Sequence, residues 1–372
     1  MSSLRVLIAG GGTGGHLFPA LALADEIVAR GGTVRFAGTA HGLEARAVPK
    51  AGYDLDLITV SGLKRAGLGG FLRGSLRLPR ALWQSLRIVR AFRPDVVVGV
   101  GGYASGPVVL AAFLLGRPTA ILEQNSIPGI TNRILGRLCR RAYIALDPAR
   151  AHFPTRRTLL LGNPVRRAIR EAAAVTHPHA ALPQLLVVGG SQGAHAVNEQ
   201  VAGAVEILWR RGHRFRLTHQ TGTADRETVA ARYASLGGAP EQLVVHEFID
   251  DMARAYAHAD LIVGRAGATT IAELSAIGRP AILIPFPYAA DNHQEVNARV
   301  LEEAGAARVL RQAEVTPDRL ADELWTLVGD PATLERMAAA MRGLGRPDAA
   351  AAIAQDLESL TRRPAAATAR CA

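Results

Sequence analysis

The sequence predicts an α/β protein made of two doubly wound Rossmann-like domains facing across a cleft. Three observations lead there. A short apolar strand opening through a glycine loop into a helix occurs near the start, from Arg5 to Ile27, and again midway, from Leu185 to Leu208. Openings of this kind begin parallel nucleotide-binding sheets. The third observation is length: 372 residues exceed what one hydrophobic core ordinarily serves.

The elements follow in order. Arg5 to Ala9 (RVLIA) is a buried parallel strand by its unbroken apolar run. Gly10 to His16 is the glycine loop, and Pro19 belongs to the first turn of a helix through Ile27, closed by Arg30 and Gly31-Gly32. Strands are then predicted at Thr33–Ala37, Val96–Val100, Thr119–Leu122 and Tyr143–Ala145. The Pro-, His- and Ala-rich stretch 172–183 reads as a linker region. Beyond it come the strand Leu185–Val188, a glycine loop from Gly189 to Ala194 and a helix from Val197 to Leu208. Arg216–Thr218, Val244–His246, Leu261–Val263 and Ala281–Ile284 continue the strands. The expected domains are 1–163 and 164–340, with a helix over 341–360 returning to the first domain and a frayed tail over 361–372.

Composition excludes several classes. Hydrophobic residues make up 49% and charged residues 20%, as in a folded chain rather than a disordered one. The two cysteines, Cys139 and Cys371, build neither a disulfide framework nor a zinc site, which fits a reducing compartment. The start lacks the leader pattern of a signal peptide. The longest apolar run, Val108 to Leu115, is far below the ~20 residues that span a bilayer. A net charge of +11 points to anionic partners without choosing among nucleic acid, lipid and phosphorylated ligands.

Gly10, Gly12 and Gly15 match G-x-G-x-x-G, which brings backbone N–H groups to a phosphate at a helix N-terminus. A dinucleotide enzyme would carry an acid at the end of the second strand, yet that strand ends Phe36-Ala37-Gly38-Thr39, with no acid before Glu44. His16, at the loop–helix junction, is either a general base or a residue that caps and packs the loop. Gly101 to Pro107 and the polar cluster Glu123 to Gly129 follow two further strands, where open sheets bind ligands; tight turns are the plainer reading of any one such loop. In the second half Ser191 offers a hydroxyl to a diphosphate. Gly264 to Glu273 is another glycine turn entering a helix, with Glu273 placed either for ribose hydroxyls or simply for the helix dipole. Asp250-Asp251 read as a helix start rather than a metal pair, so helix N-termini and Arg would meet diphosphate charge without a metal.

From Gly62 to Arg93 the chain holds Lys64, Arg65, Arg73, Arg77, Arg80, Arg87, Arg90 and Arg93 and no acid. Leu68, Phe71, Leu72, Leu76, Leu82 and Trp83 stand between them. This favours an anionic membrane surface over an ordinary solvated helix. Nucleic acid is not expected, because the segment carries no RNA-binding signature.

Taken together, GGGTGGHLFPALALA, GGYASGP, EQNSIPGITNR, GNPVR, GGSQGA, EFIDDM, RAGATTIAE and PFPYAADNHQ, from about Val6 to about Asp348, resemble the MurG family of peptidoglycan N-acetylglucosaminyltransferases. The resemblance implies the glycosyltransferase B fold and transfer of GlcNAc from UDP-GlcNAc, with inversion. The acceptor would be the MurNAc C4 hydroxyl of undecaprenyl-diphosphate-linked MurNAc-pentapeptide (lipid I), giving lipid II at the cytoplasmic face of the inner membrane. UDP-GlcNAc would be a substrate and no cofactor or metal would be required, with cell-wall synthesis proteins as further partners. It places Thr13, Gly14 and Gly15 near the sugar and acceptor diphosphate, with His16 the base, and Asn125 on the GlcNAc. Arg166 and Ser191 would meet the nucleotide diphosphate, and Ile249 and Arg265 would flank uracil. Ala268, Thr269, Thr270, Ile271 and Ala272 would line the donor diphosphate and sugar, with Glu273 on the ribose and Gln294 on the sugar hydroxyls. Leu122 departs from the family, which often has His there; that shifts catalytic weight to His16 and Glu123. Two other readings stay open: another glycosyltransferase-B enzyme, such as a glycolipid glycosyltransferase or UDP-sugar epimerase, and a non-catalytic dinucleotide-sensing module.

Overall fold

The computed structural model describes residues 3–60, 68–173, 181–190, 193–237 and 241–361, with the side chains of 68–77 outside that description. Ser191, Lys64, Arg65, the side chains of Arg73 and Arg77, part of the linker and the tail with Cys371 therefore lie outside the described residues. The chain divides into two compact units. One is Met1–Pro164 with Asp348–Ala372; the other is Val165–Pro347.

The first unit opens with β1 (Arg5–Gly10), α1 (Gly14–Ala29), β2 (Thr33–Gly38), α2 (Glu44–Lys50), β3 (Leu55–Leu57) and α3 (Leu68–Phe92). It continues through β4 (Val96–Gly101), α4 (Ser105–Leu114), β5 (Thr119–Glu123), α5 (Ile130–Leu135), β6 (Arg141–Ile144) and β7 (Thr158–Leu160). These seven strands run parallel in the order β3-β2-β1-β4-β5-β6-β7. Val6, Leu7, Ile8 and Ala9 are wholly buried because helices cover both faces of the sheet, which is why β1 shows no polar alternation. The strand order reverses between β1 and β4, so the loops leaving those strands open a crevice at their C-terminal ends. Because α1 begins at Gly14, Pro19 falls in its second turn rather than the first.

The second unit begins with α6 (Arg167–Ala172), β8 (Gln184–Val188), α7 (His195–Arg210), β9 (Arg216–Gln220), α8 (Arg226–Ala234) and β10 (Leu243–His246). It proceeds through α9 (Met252–His258), β11 (Leu261–Gly264), α10 (Ala268–Ile277), β12 (Ala281–Leu283), α11 (His293–Glu303), β13 (Ala307–Val309), α12 (Pro317–Val328) and α13 (Pro331–Leu344). Its parallel sheet has the order β10-β9-β8-β11-β12-β13, reversing between β8 and β11. The chain then returns to the first unit as α14 (Ala349–Thr361). Residues 341–344 belong to α13, and the helical segment read over 341–360 is interrupted at Gly345-Arg346-Pro347, where a prolyl ring cannot continue a helix.

α14 packs Ile353, Ala354 and Leu357 into the core that holds Leu23 and Ile27 of α1. Asp356 on the same helix accepts from Arg141 Nε at 3.0 Å and from the Tyr143 hydroxyl at 2.8 Å. β6 starts at Arg141, two residues ahead of the sequence reading, because its backbone already pairs with Ala120 of β5 there, and the ion pair neutralises the arginine at its entry. In α3, Ala81, Ser85, Val89 and Phe92 are buried at helical spacing. Leu78 and Trp83 are exposed, and the Arg87 guanidinium lies 4.8 Å from the Trp83 ring centre. No helix of the described residues is long and apolar enough to cross a membrane.

Candidate active site

In the first unit three loops meet at the ends of β1, β4 and β5. Gly10 and Gly101 are sheet neighbours, so the loops after β1 and β4 run side by side. Gly101 has φ +98°, and a Cβ there would stand 2.9 Å from His16 Cε1, so the missing side chain is what admits the imidazole. Gly102 likewise faces the Gly11 carbonyl with no space for a side chain. Mutual approach of two backbones, rather than a turn in isolation, is what these glycines permit.

His16 stands in the first turn of α1, partly buried, with Nδ1 2.9 Å from Gln124 Oε1. The buried Gln124 donates its Nε2 to the Val100 carbonyl at 3.1 Å, which fixes the amide orientation. Its Oε1 can then only accept, so Nδ1 of His16 carries the proton and Nε2 keeps the lone pair. Burial lowers the His16 pKa and the bond to Gln124 only partly opposes that, which keeps the ring neutral at neutral pH. Gln124 was not singled out from the sequence; its only signal was a polar residue directly after an apolar strand.

Thr13 is exposed and Gly14 and Gly15 half-buried at the start of α1 beside His16. Asn125 is half-buried in the loop after β5, its N–H bonded to Glu123 Oε1 at 3.0 Å. Glu123 itself is 1% exposed, and its other oxygen accepts from Asn132 Nδ2 at 2.8 Å. Burial raises its pKa against those bonds. The geometry gives Glu123 the work of bracing the 123–129 loop. Leu122 points into the apolar core with Val98 and Tyr143.

In the second unit the described loops after β8, β9, β10, β11 and β12 lie at the same sheet edge. Glu273, in α10, is buried; its Oε1 accepts from Arg166 Nη2 at 2.9 Å and its Oε2 from the Tyr256 hydroxyl at 3.2 Å. Burial raises the Glu273 pKa, opposed by Arg166 and Tyr256. Thus the two residues expected on different parts of the nucleotide are paired with each other, and Tyr256 is a partner that sequence reasoning missed. The Arg265 guanidinium donates to the carbonyls of Ile284 and Pro285 at 3.0 and 3.1 Å and to Gln312 at 2.7 Å. Burial pulls its pKa down to about 10, which leaves it a cation at neutral pH.

Ile249 gives its N–H to Gln220 Oε1 at 2.9 Å, while Gln220 Nε2 donates to the Gly190 carbonyl at 3.1 Å, so one side chain ties two loops together. Thr269 and Thr270 are half-buried in the first turn of α10, and Ala268 is buried beside them. Ile271 is different. Its side chain is 3% exposed and its N–H bonds the Gly267 carbonyl, so it belongs to the core. Ala272 is half-buried on the same helix. Gln294, at the start of α11, accepts the Phe286 N–H at 3.0 Å. The wholly buried Asn297 donates to the Ala266 carbonyl at 3.2 Å, bracing the glycine turn before α10. Asp251 caps α9 by accepting the Arg254 N–H at 3.0 Å.

Two parallel-sheet units, each with loops gathered at strand C-termini, define the doubly wound class of nucleotide-binding α/β proteins, and the first unit adds a neutral histidine to that site. Residues 6–144 match the glycosyltransferase family 28 N-terminal domain, and residues 184–353 match the C-terminal domain of that family. A protein of Anaeromyxobacter dehalogenans named UDP-N-acetylglucosamine--N-acetylmuramyl-(pentapeptide) pyrophosphoryl-undecaprenol N-acetylglucosamine transferase is 51% identical over 97% of this chain and 94% of that protein. Its namesake from Myxococcus xanthus is 49% identical over 94% of this chain and 91% of its own length. The crystal structure of Acinetobacter baumannii MurG is 32% identical with a TM-score of 0.78, covering 96% of this chain and 99% of that one. The chain belongs to this N-acetylglucosamine transferase family, the MurG family, and has its glycosyltransferase B fold.

Proposed function

We infer that the chain moves GlcNAc from UDP-GlcNAc to the MurNAc C4 hydroxyl of undecaprenyl-diphosphate-MurNAc-pentapeptide (lipid I), giving lipid II for peptidoglycan. The carrying observation, beside 51% identity to the named relative, is His16 with its Nε2 lone pair set by the Gln124–Val100 chain. His16 takes the proton from the acceptor hydroxyl as that oxygen attacks the anomeric carbon, while the bond to UDP breaks on the opposite face, inverting the centre. Thr13, Gly14 and Gly15 receive the acceptor beside it, and Asn125 meets the GlcNAc. In the second unit Glu273 takes the ribose hydroxyls, and Arg166, released from Glu273, meets the diphosphate together with Ser191, Thr269 and Thr270. Gln294 accepts the sugar hydroxyls, and the Ile249 and Arg265 loops bound the uracil. Leaving-group charge is met by helix N-termini and Arg without a metal.

The work takes place peripherally at the cytoplasmic face of the inner membrane, through the basic and apolar segment 62–93, in support of cell-wall growth, shape and division. Exposed Leu78 and Trp83, with Arg80, Arg87 and Arg90 exposed on the same helix, support that docking. The test is UDP release from UDP-GlcNAc with and without a short-chain lipid I analogue in metal-free buffer. Acceptor-dependent release with a GlcNAc-bearing product is expected; no release in the presence of acceptor would overturn the assignment.

A further inference from the structure

Glu44 has no part in the chemistry above, yet it sits inside the first glycine loop. It is 1% exposed at the start of α2. Its Oε2 accepts the Gly12 N–H at 2.8 Å, and its Oε1 accepts the Thr39 N–H at 3.0 Å and the Thr39 hydroxyl at 2.7 Å. Gly11, Gly38 and Gly42 surround this side chain so closely that a Cβ on any of them would collide with it. In loops of this pattern the backbone N–H groups usually converge on a phosphate. Here one of those groups, the Gly12 N–H, meets an anion supplied by the chain itself. Burial alone would raise the Glu44 pKa, but the bonds from Gly12 and Thr39 outweigh it and keep the carboxylate ionised at neutral pH.

We propose that Glu44 is a positioning residue for the transfer: a built-in anion that ties the Gly12 N–H to Thr39 and fixes the path from Gly11 to Thr13. The inference rests on the reading of His16 as base. Gly12 leads directly into Thr13, whose carbonyl accepts the N–H groups of His16 and Leu17, each at 3.2 Å. The carboxylate therefore sets where α1 begins and where the imidazole stands.

The experiment compares wild type with E44Q and E44A in the acceptor-dependent UDP-release assay, after circular dichroism confirms folding. Glutamine keeps the shape but turns an NH2 toward donors that need an acceptor. E44Q is expected to lose kcat about tenfold or more while KM for UDP-GlcNAc stays within twofold, because the residues proposed for the nucleotide lie in the other unit and Asn125 has no bond to Glu44. In folded E44A, sodium formate at matched ionic strength is expected to restore a substantial part of kcat, with sodium chloride inert. Unchanged kcat in E44Q overturns the proposal, as does a KM for donor that rises in step with the loss of kcat, or formate that leaves folded E44A unaltered. If E44A does not fold, E44Q decides alone. A wild type lacking acceptor-dependent release would instead overturn the parent reading, so the two failures are distinct.

Discussion

His16 and Glu44 are buried to different degrees, and their protonation follows from what surrounds them rather than from residue type. Desolvation dominates at His16, so its pKa falls below the ordinary imidazole value of 6.5. A base with a lowered pKa is deprotonated above that value and loses function only as pH drops through it. The acid limb of kcat/KM is therefore expected below pH 6.5, and H16A should cost about 10²–10⁴-fold in kcat and abolish that limb while UDP still binds. A limb centred at or above free imidazole would contradict the geometry. The sequence made His16 a candidate through its place at a loop–helix junction. Its tautomer was not legible, because that depends on Gln124 reaching it across 108 positions of chain. Glu44 was noted only as an acid arriving too late for a dinucleotide ribose; nothing in its spacing shows that α2 turns it back into the Gly12 loop.

Strands and glycine loops were the most legible elements, because buried parallel strands are uninterrupted apolar runs and the loops that follow need glycine at positions such as Gly101. The three-residue strands β3, β7 and β13 escaped notice, since each is short and only partly buried, whereas the equally short β12 is fully buried and reads as an apolar run. The polar braces escaped for another reason. Gln220, Tyr256 and Asn297 look like ordinary strand-end or helix residues until tertiary structure brings Gly190, Glu273 and Ala266 to them. Between α9 and α10 this has a measurable consequence. Y256F deletes one hydroxyl from a wholly enclosed site and leaves Glu273 to Arg166 alone. It should raise KM for UDP-GlcNAc roughly threefold to tenfold, the worth of one such hydrogen bond, with a smaller change in kcat. Equal affinity for UDP in wild type and Y256F, measured by calorimetry, would show that Tyr256 does not set Glu273.

For the molecule as a whole, a net charge of +11 includes eight basic residues and no acid from Gly62 to Arg93, the segment proposed to meet the membrane. Attraction to anionic lipid is worth about 1 kcal/mol per basic residue near the surface and is screened within a Debye length. Replacing Arg80, Arg87 and Arg90 together with Gln should therefore weaken binding to phosphatidylglycerol vesicles by roughly a hundredfold at low salt. Half-molar salt should erase most of the difference, and activity on a water-soluble acceptor should be unaltered. Vesicle binding indifferent to both changes would remove the membrane from this segment.

The return of the chain to its first unit through α14 has a bearing on how the protein is made. Residues of β1 and α1 leave the ribosome first, but Ile353 and Leu357, which cover Leu23 and Ile27, leave it after the whole second unit has emerged. The nascent first unit must therefore wait with an apolar seam uncovered while the later-synthesised unit already has its full sequence, reversing the usual order in which domains finish along a growing chain. Messages that stall translation before Asp348 should thus release products whose amino-terminal half is the part captured by chaperones and cut by proteases.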